Sequence, residues 1–249
     1  MSHLVPFYAA GRLLTRLPFP DPGVVDPVDQ GRSVAWYPAV GLVLGALLAL
    51  AALAAQHTDP LLGAALLLAF WTWSTGGLHC DGLADSADAW IGGLGDRART
   101  LEIMKDPRSG PMAVAVLGLA LLLKWSALQL LLDVEAAWLL LWVPLLARAV
   151  LPPLLLTTAY ARTQGIVSDQ VAHLGRTWAW TASGAAFIGC VLVLGGLGLV
   201  LVGCALAVLW LARRAMCARL GGFTGDTAGA LVELTEIALV VLAALLLGG

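Results

Sequence analysis

WAWTASGAAFIGCVLVLGGLGLVLVGCALAVLWLA (residues 178–212) decides the fold. A bilayer core takes about twenty apolar residues per helical crossing, so this run is too long for one helix. Gly195, Gly196 and Gly198 interrupt it and predict a turn between two short spans, 178–194 and 197–212. The alternative is a single tilted helix with an interfacial end. Five more apolar runs lie at roughly 36–55, 61–79, 111–131, 136–157 and 228–247. Together they predict an all-α, polytopic integral membrane bundle of about seven transmembrane helices. No internal repeat is visible, and residues 1–249 read as a single membrane domain.

Composition supports this reading. The chain is 60% hydrophobic and only 12% charged, where a soluble domain carries about 25% charged residues. The net charge of −2 gives no reason to expect a nucleic-acid partner. Cys80, Cys190, Cys204 and Cys217 lack paired spacing, which predicts neither a disulfide nor a zinc site. The first twenty residues hold Arg12, Arg16, Pro18 and Pro20 and no long apolar run, so no cleavable signal peptide is expected.

The basic residues set the topology. With seven spans, Arg12, Arg16, Arg32, Arg97, Arg99, Lys105, Arg108, Arg162, Arg176, Arg213, Arg214 and Arg219 all fall on one side. The opposite loops hold Asp59, Asp133 and Glu135 and no cation. The positive-inside rule places the basic side, and with it the N-terminus, in the cytoplasm. Six spans would put Arg219 opposite the rest. Two polar loop regions, 77–110 and 213–230, then face the cytoplasm as candidate catalytic loops. Lys124 and Arg148 remain inside spans. Lys124 is expected to snorkel towards an interface. Arg148 is either a functional group or an interhelical partner for a buried carboxylate.

Three polar constellations carry the chemistry. In GLHCDGLADSADAW (77–90), Asp81, Asp85 and Asp88 are spaced i, i+4, i+7 and share one helix face. Carboxylates this close repel unless a cation lies between them. A hard divalent ion such as Mg²⁺, which commonly arrives with phosphate, satisfies them. Ordinary surface charge is the plainer reading, and it is weaker for three aspartates on one face. His79 points away from that face and reads as a packing residue. In MKDPRSGPM (104–112), Lys105 and Arg108 precede a helix start and suit a phosphate. Glu102 and Asp106 could complete a metal shell or pair with those cations. In GGFTGDTAGALVELTE (221–236), Asp226 reads as an N-cap, while Glu233 and Glu236 lie deeper in the span. Carboxylates at that depth need partners, supplied by a second metal or a pocket lined by Arg148.

At these residues the chain resembles the cobalamin synthase family, the adenosylcobinamide-GDP ribazoletransferases. DGLADSAD (81–88), KDPRSGP (105–111) and GGFTGDTAGALVE (221–233) look like its signature segments, and TRLPFP (15–20) looks like its opening segment. The resemblance implies a multi-pass enzyme of the bacterial cytoplasmic (inner) membrane acting in the corrinoid pathway. It implies Mg²⁺ as cofactor. It also implies transfer of α-ribazole, or its 5′-phosphate, onto adenosylcobinamide-GDP, giving adenosylcobalamin (or its 5′-phosphate) and GMP. On that reading Asp81, Asp85, Asp88 and Asp226 hold metal, and Lys105, Arg108 and Arg148 hold substrate phosphate. Asp226 or Glu233 orients a second metal or accepts the proton of the attacking hydroxyl. The lipid bilayer is the other partner, and self-association is left open. Two other readings remain at this stage. A CDP-alcohol phosphotransferase also places spaced aspartates at a helix end, but its Asp-Gly-x-x-Ala element is one residue short here and its later paired aspartates are absent. A secondary transporter would use Arg148, Glu233 and Glu236 as a relay, but would favour repeats that this chain lacks.

Overall fold

The computed structural model describes residues 4–162 and 165–248. Among them the regular elements are helical, and the sole β-type pairing is an isolated bridge between Tyr160 and Phe223. Two short helices, α1 (Val5–Leu14) and α2 (Pro27–Ser33), lead through a 3-10 turn into α3 (Tyr37–Ala55). Asp59 caps α4 (Pro60–Thr75), its carboxylate accepting from the Leu61 and Leu62 amides. Then come α5 (Leu78–Gly92), α6 (Arg97–Ile103) and α7 (Pro111–Asp133). A 3-10 turn at Ala137–Leu141 runs into α8 (Trp142–Ala149) and α9 (Leu151–Thr157). The chain closes with α10 (Ile166–Ala172), α11 (Arg176–Leu194), α12 (Gly196–Leu220) and α13 (Gly225–Leu247).

Six of these runs are long and apolar enough to cross a membrane, and α4 with α5 counts as a seventh if the pair, bent by 86°, is one span. The predicted break between α11 and α12 falls at Gly195, whose φ of 59° is in the left-handed region. The α12 helix then continues to Leu220 rather than stopping near residue 212, because Arg213, Arg214 and Arg219 ride out on its polar end. The predicted 61–79 span differs more. Helix α4 stops at Thr75, where Gly76 (φ 63°) and Gly77 (φ 71°) are both left-handed. Two successive residues of that kind cannot continue a right-handed helix, so the chain turns and restarts as α5. The polar arm carrying the aspartates thereby leaves the line of the apolar one.

The run from residue 137 to 157 is the hub, with nearly all of its side chains buried. Pro152 and Pro153 cannot donate backbone hydrogen bonds, which fits the break between α8 and α9 at Val150. Around it stand α3, α7, α11 and α13. Helices α11 and α12 are peripheral and turn Ile188, Leu192, Val193, Leu199 and Trp210 outward, the surface a lipid environment accepts.

For the site, the decisive packing is α5 against α13. A Cβ on Gly82 would lie 2.5 Å from the Asp226 carbonyl oxygen. The two backbones therefore touch, as small residues allow between membrane helices. Gly82→Ala is expected to lower stability by about 1–3 kcal/mol through overpacking. Thermal unfolding in detergent checks this, and a variant as stable as the parent would refute the contact.

Candidate active site

Helix α5 presents its carboxylates where the N-terminal ends of α7 and α13 arrive. Asp81 is exposed, and Asp85 and Asp88 are half-buried. Asp88 accepts hydrogen bonds from the Gly110 and Ala113 amides, the latter at 3.0 Å. It therefore caps α7 from a different helix, where the partial positive charge of the helix start favours a carboxylate. Gly110 sits so close to this carboxylate that an added Cβ would collide with it.

Asp226 comes to the same place from α13. It is not the N-cap. Thr224 fills that position and closes a reciprocal capping box with Thr227. Asp226 is thus released into the first turn, where it accepts a hydrogen bond from Arg162 at 2.7 Å. Arg162 reaches it because the Ala161 amide donates to the Phe223 carbonyl and the Phe223 amide donates to the Ala159 carbonyl, stitching the two loops together. Sequence reading placed Arg162 only among the loop cations. Its pairing across 64 residues leaves no local signal.

The convergence registers on Asp85. Desolvation, followed by the negative charges of Asp81, Asp226 and Asp88, pushes its carboxyl up to about 6, against the pull of Arg162. The Asp81, Asp88 and Asp226 carboxylates are therefore near enough to Asp85 to repel it, where two distant helix starts converge. No group of three His, Cys, Asp or Glu side chains among the described residues forms a ready-made metal cage. The donors are nevertheless of the hard-oxygen type that suits Mg²⁺, which is usually held by one or two carboxylates plus substrate phosphate.

The loop cations sit differently. Arg108 is exposed and folds back on Asp106, its Nε and Nη2 donating to the carboxylate at 2.9 and 2.7 Å. That pairing holds the Asp106 carboxyl down at about 2. Lys105 is exposed. Glu102 and Asp106 line a separate surface cavity with Asp96 and Arg99.

The deeper charges form their own cluster. Lys124 does not snorkel: it is 3% exposed and donates at 2.7 Å to both Glu233 and Glu236. Its ammonium also lies 4.3 Å from the Trp71 ring centre. Arg148 is fully enclosed, paired with Glu236 and 3.2 Å from His79 Nδ1. Two cations thus balance two carboxylates, and Arg148 and Glu233 lie engaged inside the protein rather than open to a substrate. The His79 tautomer follows from its neighbour. A guanidinium only donates, so Nδ1 accepts and Nε2 carries the proton. That Nε2 is buried without a partner.

A family profile described as Cobalamin-5-phosphate synthase matches residues 6–244. The chain belongs to this family. Relatives in the cobalamin-5-phosphate synthase family include proteins named adenosylcobinamide-GDP ribazoletransferase. One from Stutzerimonas stutzeri (strain A1501) is 54% identical, covering 98% of this chain and 100% of the relative. One from Ectopseudomonas mendocina (strain ymp) is 52% identical over 94% of this chain and 96% of the relative. One from Pseudomonas aeruginosa (strain UCBPP-PA14) is 52% identical over 94% and 95%. No solved structure matches the chain. This family member is therefore a membrane-helical transferase of cobalamin biosynthesis.

Two outcomes test the site's electrostatics. Lys124→Met leaves Glu233 and Glu236 short of a counter-charge and is expected to cost about 3–5 kcal/mol in detergent unfolding. Glu233→Gln should cost less, because Lys124 keeps Glu236. Asp85 is the second case. Its folded pKa lies above its unfolded one, so the ionised carboxylate opposes folding, and the penalty grows as pH rises through the window up to about 6. Asp85→Asn should raise the melting temperature of the metal-free protein near neutral pH. The gain should vanish below the unfolded pKa, where both side chains are neutral.

Proposed function

We propose that this chain joins adenosylcobinamide-GDP to α-ribazole, or to its 5′-phosphate, in a Mg²⁺-assisted transfer that releases GMP at the cytoplasmic face of a bacterial inner membrane. The observation that carries the reading is the Gly82–Asp226 backbone contact, which brings the acidic start of α13 to the aspartate-bearing α5. The names of the relatives support this choice of substrates.

In the transfer, a ribose hydroxyl oxygen bonds to the phosphorus that carries the cobinamide. The anhydride bond to the leaving phosphate breaks, and GMP departs with that electron pair. Such transfers need positioning and charge neutralisation more than covalent help from the protein. One or two of Asp81, Asp85 and Asp226 would hold Mg²⁺, which when bound offsets charge on the diphosphate oxygens. Asp88 keeps α5 in register with α7 through the Gly110 and Ala113 amides. Arg162 holds Asp226 in place. Lys105 and Arg108 take phosphate oxygens, Arg108 exchanging Asp106 for a more highly charged anion. The hydroxyl proton passes to a carboxylate oxygen of Asp226 or Asp81 that is free of metal.

Purified protein in lipid vesicles with Mg²⁺, adenosylcobinamide-GDP and α-ribazole is expected to release one GMP per corrinoid product. Asp85→Asn should reduce turnover by at least about a hundredfold while unfolding cooperatively like the parent. Absence of GMP from the parent protein refutes the reading. Full activity in Asp85→Asn refutes the carboxylate site.

A further inference from the structure

Two cavities share Asp81 as a wall and differ in chemistry. One, of about 560 Å³, opens towards α7 and is lined by Arg12, Arg16, Thr75 and Ser109. The other, of about 190 Å³, opens towards α13 and is lined by Leu151, Leu155, Val167, Phe223, His79 and Asp226. The first is cationic. Arg16 is exposed and, among the described residues, has no ion-pair partner, while Arg12 meets Asp21 only at 3.6 Å. The second is apolar along most of its wall. Its polar end holds Asp81, Asp226 and His79, whose buried Nε2–H has no partner.

We propose that these are the two substrate sites of the transfer, with the donor's diphosphate in the Arg12–Arg16 cavity and the acceptor nucleoside in the apolar one. The assignment rests on the ribazoletransferase reading above. Guanidinium groups match phosphate oxygens in charge and in fork geometry. The acceptor has the opposite needs: a flat apolar base and a polar ribose. The base lies among Leu151, Leu155 and Phe223, and the ribose hydroxyls face Asp81, Asp226 and the His79 donor. Size sorts the two in the same direction. At Arg16, Gly76 and Gly77 the cationic cavity adjoins an apolar groove of about 1030 Å³ along α4 and α7, room for the donor's large macrocycle. The smaller cavity admits no such group. The phosphorus and the attacking oxygen then approach each other across Asp81.

Steady-state kinetics with each substrate varied in turn tests this. Arg16→Gln is expected to raise the donor KM about tenfold and leave the acceptor KM unchanged. Val167→Phe, which narrows the apolar cavity from its half-exposed rim, is expected to raise the acceptor KM about tenfold and leave the donor KM unchanged. Leu155→Phe narrows the same cavity from another wall and should reproduce the Val167→Phe pattern. Equilibrium binding of α-ribazole alone should weaken in both cavity variants and not in Arg16→Gln. Exchanged effects, equal effects on both KM values, or folded variants with parental KM values overturn the assignment. If the parent protein releases no GMP, the ribazoletransferase reading itself fails. An active parent whose two KM values do not separate sinks only the placement of the substrates.

Discussion

The bare backbone of Gly82 against the Asp226 carbonyl is the contact on which the rest depends. It brings the start of α13 onto the side of α5, and so sets an acidic first turn beside a face of three aspartates. Neither helix would tolerate that neighbour for electrostatic reasons alone, and the raised Asp85 carboxyl records the cost. What holds them together lies deeper. Lys124 on α7 and Arg148 on α8 clamp Glu233 and Glu236 of α13, and Arg148 also reaches His79 of α5. One layer of balanced charge thus fixes four helices beneath a layer of unbalanced charge. The balanced layer positions the unbalanced one.

Much of this was legible in the sequence where the signal is local. Apolar length gave the crossings, and Gly195 gave the turn that separates α11 from α12. Spacing along a single helix put Asp81, Asp85 and Asp88 on one face. Signals that depend on a partner far along the chain were weaker. A lysine in an apolar run reads as a snorkelling residue until its two glutamates, more than a hundred residues away, are placed beside it. Asp226 looked like a cap because Thr224 fits the same role, and only geometry separates them. The break after Thr75 was hidden because hydropathy carries no information on the backbone sign that Gly76 and Gly77 adopt.

The membrane makes these distinctions sharper than they would be in water. Charges at the depth of Lys124 and Arg148 have no solvent to fall back on, so each must find a protein partner. Loop charges such as Arg108 have that freedom, and Arg108 satisfies itself with a neighbour two residues away. Depth therefore divides the ionic residues of this chain into a fixed scaffold and an adjustable rim.

The arithmetic of the scaffold also constrains how such a protein can drift over generations. Two cations facing two acids form a closed account, and replacing any one member by a neutral residue leaves a stranded charge in an oily interior. Lineages can cross that gap only by exchanging members in pairs, one of each sign. Lys124 and one of its glutamates are thus tied to a shared fate, although they belong to different helices.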